Sequence, residues 1–499
     1  MKTKRIKKIL VANRGEIALR IHRAAADLEI PSVAIYSDTD RGAPHVLHAT
    51  EAYPLSGKLS LDTYLNIAKI IAIAKKSGCD AIHPGYGFLA ENPSFVDTVT
   101  SAGLVFIGPP ASAMRSMGSK TSARNLMANA KVPIIPGTTV PIKDYAELLD
   151  VTRKIGYPVL LKASDGGGGK GMRRVDKESE LDQAFRHAQS ESQSAFGSDK
   201  IFVEKYLSSP RHIEIQIIAD MHGSVISLGE RECSIQRRHQ KVIEESPSTV
   251  LTPILRKAMG EASVSAARRV GYVNAGTVEF LLDEDKSFYF LEMNTRLQVE
   301  HPVTEMVHGL DLVRLQIQIA EGEKLPFTQD MIETKGHAIE CRICAENPAE
   351  NFLPSTGKIT EYAPSAGYGV RNDSGVMHGT EVLHFFDPLL AKLIACGNTR
   401  EEALQRMKRA LKEYKISGVD TTIPFCLFVL SHPKFVSGDY RIDFVDKYYQ
   451  RNSEPKNKRE EIVASFAAAS MHRYLASQNH VAENTRLQSE KWKRKRFDE

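Results

Sequence analysis

Glu292-Met293-Asn294-Thr295-Arg296-Leu297-Gln298-Val299-Glu300-His301-Pro302 alternates polar and apolar residues almost to its end. Side chains of an extended segment point alternately to its two faces. Glu292, Asn294, Arg296, Gln298 and Glu300 therefore share one face, and Met293, Thr295, Leu297 and Val299 the other. A strand that completes a sheet often turns a polar face to water. This face is more selective: it carries no Lys, Ser or Thr, and its carboxylates, amides and guanidinium suit metal and anion binding.

The segment before it reads as a hairpin, Thr277–Leu282 and Phe288–Met293 around the polar Asp283–Ser287. Pairing Glu279 with Glu292 leaves Glu284–Ser287 as the loop, a common length. Val278, Phe280, Leu282, Tyr289, Leu291 and Met293 are then expected on the core face, with Glu279, Glu292 and Asn294 gathered on the other. Two carboxylates directly opposite each other destabilise a sheet unless something positive lies between them. An oxygen-preferring cation such as Mg²⁺, bridging to nucleotide phosphates, would serve. A solvated hairpin face with a shifted register is the competing reading.

The frame is that of an ordinary globular protein. The 499 residues suffice for about two to four domains, and 42% hydrophobic and 25% charged residues are typical values. No apolar run approaches the ~20 residues of a membrane span. The basic start Met1–Lys8 is followed by only Ile9–Ala12 before Asn13-Arg14-Gly15, which indicates a first strand rather than a secretory signal. Six scattered cysteines fit a reduced, cytoplasmic chain, and the lone Cys341-Arg-Ile-Cys344 reads as structural. Of the net charge of +5, residues 451–499 supply +4, with 11 Lys and Arg against 7 Asp and Glu. The nearly balanced remainder argues against a nucleic-acid-binding body, although Lys491–Arg496 could meet an acidic partner.

Strand, turn and helix signals alternate through the first ~115 residues: Lys8–Ala12, the turn Asn13–Glu16, helical spacing over Ile17–Ala26, then Ser32–Tyr36, Asp80–His83 and Leu104–Ile107. That pattern predicts a doubly wound parallel sheet with ligands at the carboxyl ends of its strands. A second unit, about 133–207, contains the strand Tyr157–Lys162 and then Ala163-Ser-Asp-Gly-Gly-Gly-Gly-Lys-Gly-Met172. Consecutive glycines let backbone N–H groups approach phosphate oxygens with no Cβ in the way. This is no Walker A loop, because Lys170 is followed by Gly171 and Ser164 stands where the leading Gly would be. A third stretch, 208–450, holds the hairpin. In the tail a helix is expected from Glu460 to about Leu475.

A Lys-ended strand, a tetraglycine loop and a Glu–Glu–Asn hairpin resemble the ATP-grasp enzymes. More closely, the chain resembles the biotin carboxylase component of biotin-dependent carboxylases over residues ~5–450. The resemblance is carried by Val11-Ala-Asn-Arg-Gly-Glu-Ile-Ala-Leu-Arg20, His83-Pro-Gly-Tyr-Gly-Phe-Leu-Ala-Glu-Asn92, Phe202-Val-Glu-Lys-Tyr206, Arg211-His-Ile-Glu-Ile-Gln216, Glu230–Lys241, Glu292–Pro302 and Glu340–Glu346, all in the family's order. It implies an N-terminal Rossmann-like domain over 1–117, a connecting helix over 118–132 and an ATP-grasp lid subdomain over 133–207. The ATP-grasp core and a β-rich C-terminal domain follow over 208–450, and 451–499 is a basic, partly helical tail, a candidate docking element.

The same resemblance implies roles. Nucleotide contacts fall on Lys120, Lys162, Gly168, Gly169, Glu204, Lys205, Leu207, His212, Gln236 and His239, with Glu279 and Glu292 reaching ATP through metal. Glu279, Glu292 and Asn294 match the ligands of Mg²⁺ or Mn²⁺. Lys241, Arg296 and Val299 match the bicarbonate pocket, where a guanidinium can grip a planar anion. Glu300 matches the general base, and Tyr86 and Arg342 match residues at biotin. The implied reaction is attack of bicarbonate on ATP, giving carboxyphosphate and ADP, then transfer of CO2 to biotin.

Asp165 and Lys170 stand where many relatives have Gly and Arg. Phe385-Phe-Asp-Pro-Leu-Leu-Ala-Lys392 replaces a more polar version in some acetyl-CoA carboxylase subunits, which points to the pyruvate or acyl-CoA branch. No Ala-Met-Lys-Met biotinylation site is present, and Arg406-Met-Lys-Arg409 is no substitute. The expected partners are therefore a separate biotin carboxyl carrier protein and a carboxyltransferase subunit, with a homodimeric enzyme. An ATP-grasp ligase acting on an amine would have no reason for Arg296, Lys241 and Arg342 together. A silent scaffold subunit would predict erosion at Glu300 or Glu292, and both are intact.

Overall fold

The computed structural model describes residues 5–118, 120–163, 172–196, 198–238, 240–449 and 466–474. It divides into two units, Met1–Tyr449 and Gln450–Glu499. In the second unit the described residues 466–474 are helical, inside the predicted span.

The first unit begins with the expected parallel sheet, in which Ile9–Val11 lies centrally between Ser32–Tyr36 and Ala81–His83. Val105–Phe106 completes one edge and Glu51–Pro54 the other, the latter a strand that the sequence pattern does not announce. Alternation along the first strand explains the two layers. Ile9 and Val11 pack with Ile17 and Ile21 of the helix Gly15–Asp27. Leu10 and Ala12 pack on the other face with Ile70 and Ala74 of Ile67–Lys76 and with Phe95 and Val99 of Pro93–Ser101. The sheet is doubly wound, as predicted.

Three antiparallel strands, Val159–Ala163, Met172–Val175 and Ile201–Lys205, form a small separate sheet. Val159, Leu161, Ile201 and Val203 join Leu148, Leu181 and Phe185 in one core, which turns the intervening Lys162 and Glu204 to the opposite face. Gly168 and Gly169 lie outside the described residues, as do Asp165, Lys170 and His239.

One eight-stranded antiparallel sheet then dominates the rest, beside three two-stranded ones. Its order is Phe288–Asn294, Asn274–Leu282, Arg211–Ala219, Val225–Arg237, Gln240–Ser246, His337–Cys344, Leu389–Gly397 and Val370–Ser374. The hairpin pairs Glu279 with Glu292 as expected. It differs one step further on, where Phe280 pairs with Phe290 and Leu291 is skipped as a bulge. The bulge reverses the parity of the residues before it. Phe290 enters the core, while Leu291, expected there, is 40% exposed and Tyr289 is only half-buried. It also shortens the loop, which closes with the Asp283 N–H donating to the Ser287 carbonyl at 2.8 Å. The strand ends at Asn294, so the alternation from Thr295 onward belongs to a loop rather than an extended strand.

On the far side of this sheet Glu245, 1% exposed, joins four segments. It faces His337 Nε2 at 2.6 Å, accepts from Arg400 at 2.7 and 3.0 Å, and also accepts from the Tyr440 hydroxyl. Burial raises its pKa, but His337 and Arg400 outweigh that and hold it at about 2. A depressed carboxyl contributes stability above its unfolded value that is lost as pH falls through the folded one. Glu245→Gln should therefore lower the denaturation midpoint at neutral pH. The gap to the parent protein should shrink as pH falls from the ordinary 4.5 toward about 2. A constant gap across that window in acid titrations would refute the assignment.

Candidate active site

Register builds the site. Arg231, Glu214, Glu279 and Glu292 stand opposite one another on four adjacent strands. Gln216, Thr277 and Asn294 form the neighbouring row. Three carboxylates in a line demand compensation, and two cations, Arg231 fully buried and Lys241 partly so, supply part of it. The Arg231 guanidinium donates to Glu214, to Gln216 Oε1 at 2.7 Å, and to Thr304 and Thr277 at 3.0 Å each. Lys241 Nζ reaches Glu214 at 2.5 Å, Glu279 at 2.8 Å and Glu300 at 2.7 Å.

Glu300 precedes the helix His301–His308 and is fully buried. Its second oxygen accepts from Arg342 at 2.8 Å, and Arg342 also donates to Glu244 at 2.7 Å. Burial by itself would raise the Glu300 carboxyl. Lys241, Arg342 and Arg231 outweigh it and hold the group well below the usual carboxylate range. Glu279 is depressed in the same way, with Lys241 and His212, the latter at 2.8 Å, overcoming burial. Glu244 has the opposite balance: burial exceeds the help from Arg342, and its carboxyl rises to about 7.

Glu279 and Glu292 face each other across the hairpin, and the Asn294 side chain lies 2.8 Å from Glu279. Two carboxylates and an amide form an oxygen-rich donor set that fits Mg²⁺ or Mn²⁺. Arg296 is held beside this group by Glu91 at 2.9 Å, Gln298 at 2.9 Å and Asn294 at 3.2 Å. A cavity of about 520 Å³ opens next to it. Tyr86, Lys241, Arg296, Val299 and Arg342 all line it, the residues named from sequence for bicarbonate and biotin. Tyr86 is presented by the turn at Gly85, whose φ is +65° and where a Cβ would come 2.9 Å from the Asn13 side chain. Asn13 in turn donates to the carbonyls of Pro84 and Tyr86 at 2.7 Å.

The nucleotide candidates gather less tightly. Lys162 and Arg124 both pair with Glu204, the latter at 2.6 Å. Lys205 donates to the Gly156 and Tyr157 carbonyls at 3.1 and 2.9 Å, and Leu207 is half-buried. Gln236 lies 2.6 Å from His212. Lys120 opens the helix Lys120–Asn129. Sequence reasoning does not single out Glu214, Arg231, Glu91 or Glu244. A signal for Glu214 exists, since His212, Glu214 and Gln216 alternate along a strand as the Glu292 run does.

Comparison with known proteins agrees with this architecture. Residues 5–114 match the biotin carboxylase N-terminal domain, 119–328 the ATP-binding domain of the carbamoyl-phosphate synthase L chain, and 340–447 the biotin carboxylase C-terminal domain. Biotin carboxylase 1 of Bacillus subtilis is 51% identical over 444 residues, covering 89% of this chain and 99% of its own. A pyruvate carboxylase subunit of Methanothermobacter thermautotrophicus is 53% identical over 441 residues, covering 88% and 90%. Among solved structures, the biotin carboxylase domain of Hydrogenobacter thermophilus 2-oxoglutarate carboxylase, determined with MgADP, ADP and bicarbonate, superposes with a TM-score of 0.82. It is 46% identical and covers 89% of this chain and 98% of that one. Fold and site define an ATP-dependent ligase of the ATP-grasp class. The chain belongs to the biotin carboxylase family. Among the described residues, no helix is long and apolar enough to cross a membrane.

Proposed function

We propose that this enzyme carboxylates biotin borne on a separate carrier protein, using ATP, Mg²⁺ and bicarbonate, and that it works as a homodimer beside a carboxyltransferase subunit. The parent enzyme is then a carboxylase of the pyruvate or acyl-CoA type. The second relative, itself named as one subunit of a pyruvate carboxylase, supports the division into subunits. The observation that carries the chemistry is Glu300, buried and bonded to Lys241 and Arg342, two residues that line the cavity together with Arg296, Val299 and Tyr86.

Lys241 and Arg296 would bind the bicarbonate anion, the guanidinium in two-pronged fashion. Glu300 would take its proton while a bicarbonate oxygen attacks the γ-phosphorus and ADP leaves. As the site stands, the cations around Glu300 make it a weak base. An anion that draws Lys241 toward itself weakens that hold and raises the basicity of Glu300 as the substrate arrives. Lys162 with Lys120 would neutralise the phosphates. Lys205, Leu207 and the Glu204 backbone would border the adenine, while His212, Gln236, His239 and the glycines at 168 and 169 would supply further nucleotide contacts. Glu279, Glu292 and Asn294 would hold Mg²⁺, which supplies charge neutralisation at the transferring phosphoryl group. The carboxyphosphate so formed releases CO2 and phosphate. Phosphate accepts the ureido N–H proton, and the nitrogen bonds to CO2 while Arg342 and Tyr86 orient the biotin ring.

ADP release by the purified chain with Mg²⁺ and ATP should depend on bicarbonate and rise when free biotin is added. ADP release indifferent to bicarbonate would remove this reading in favour of a ligase with another acceptor.

A further inference from the structure

The strand Leu389–Gly397 carries one lysine, Lys392, whose side chain is fully buried. Burying an ammonium is costly unless it is paired and hydrogen-bonded. Here Nζ lies 3.0 Å from Glu16 Oε1 and donates to the Val299 carbonyl at 2.8 Å. The same Glu16 oxygen accepts from the phenol of Tyr86, whose ring centroid is 5.8 Å from Nζ. One ammonium therefore joins the helix start at Glu16, the Tyr86 turn and the loop before Glu300, segments that are remote in sequence.

Each contact leads to the reacting side of the cavity. The Val299 carbonyl belongs to the peptide group whose N–H is that of Glu300, so holding it fixes where the Glu300 side chain begins. Tyr86 and Val299 both line the cavity with Arg342. Lys392 stands directly opposite Arg342 on one neighbouring strand and opposite Asp373 on the other. Its side chain thus rises from the same face of the sheet as Arg342. Glu16 is seated closely: a Cβ at Gly375 would lie 2.6 Å from the Glu16 nitrogen.

We infer that Lys392 is a positioning residue for biotin carboxylation, holding the Val299–Glu300 peptide and, through Glu16, the Tyr86 phenol in one fixed relation. It sets the bicarbonate side and the biotin side of the cavity together. This rests on the site assignment proposed above, and Glu300→Gln measured alongside separates the two.

The test uses the full chain and three variants, Lys392→Met, Lys392→Arg and the double variant Glu16→Gln/Lys392→Met. The double variant removes both buried charges. Its new amide at position 16 still offers an oxygen to the Tyr86 phenol, so the pair can be lost without leaving a lone ion. In Lys392→Met, KM for bicarbonate should rise and kcat should fall, together roughly 10- to 100-fold in kcat/KM, the scale of a small misplacement of reacting groups. KM for ATP should stay within about twofold, because the partners of Lys392 are Glu16 and the Val299 carbonyl, with no nucleotide candidate among them in the described residues. The double variant should keep the bicarbonate defect while its KM for biotin returns toward that of the parent enzyme. Lys392→Arg should recover part of the loss, which a merely space-filling role would not give. A folded double variant with the parent enzyme's KM for bicarbonate and kcat would overturn the inference. If instead Glu300→Gln keeps bicarbonate-dependent ADP release, the site assignment fails and this inference falls with it.

Discussion

Glu300→Gln should lose bicarbonate-dependent ADP release by about 10²- to 10⁴-fold, the range for removing a positioned general base. KM for ATP should change little, since Glu300 contacts Lys241 and Arg342 rather than any nucleotide candidate. Gln is nearly isosteric and can still accept a hydrogen bond, so the loss would report proton transfer more than shape. A stability effect comes with it. The two cations lose a shared anion in a site where Glu300 is completely buried, at a cost on the order of 3 kcal/mol. The Glu300 carboxyl is depressed, so its contribution is complete above the unfolded value and is lost as pH falls toward the folded one. The stability gap between parent and variant should thus be full at neutral pH and narrow below the ordinary carboxylate value of 4.5. Steady-state ADP assays and acid titrations of the denaturation midpoint check the two halves separately. Retention of more than about a tenth of the parent activity would assign the base role elsewhere.

What the sequence disclosed follows from the range of the forces involved. The Glu279–Glu292 pairing was legible because the polar positions alternate and the turn residues Asp283–Ser287 fix the register nearby. The bulge at Leu291 was not, because Phe288-Tyr289-Phe290-Leu291 is apolar at every position and carries no parity to read. Arg231 meets Glu214 across a strand pair whose register shifts between Ser227 and Glu230, so no local pattern places the two side by side. Lys392 sits within the otherwise apolar run Leu389-Leu-Ala-Lys-Leu-Ile-Ala-Cys396, whose composition suggests core. Only the tertiary approach of Glu16 and the Val299 carbonyl explains a lysine there. The gathering of Glu279, Glu292 and Asn294 was readable because all three lie on one hairpin. Glu214, Arg231 and Lys392, which come from other strands, were not.

Those supports lead to the second large effect, at Arg231. This side chain is 0% exposed and is among the largest fully buried in the protein. Its fork satisfies Glu214, Gln216, Thr277 and Thr304 together, and burial has not cost it its charge, because Glu214 and Glu300 compensate. Arg231→Met preserves much of the apolar stem but leaves Glu214 buried with Lys241 as its remaining cation. Breaking one side of a buried ion pair typically costs about 3–5 kcal/mol, and the stranded amide and hydroxyl partners add to it. The denaturant midpoint should fall accordingly. Arg231→Lys should recover only part of the loss, since a point charge cannot serve three directions in a plane as a guanidinium does. Activity should fall further than stability in the molecules that remain folded. With Arg231 gone, Glu214 draws Lys241 toward itself and away from Glu300 and bicarbonate, so KM for bicarbonate should rise while KM for ATP holds. If Arg231→Met loses less than about 1 kcal/mol and keeps its KM for bicarbonate, the carboxylate row does not need this cation, and Lys241 alone sets the charge balance of the site.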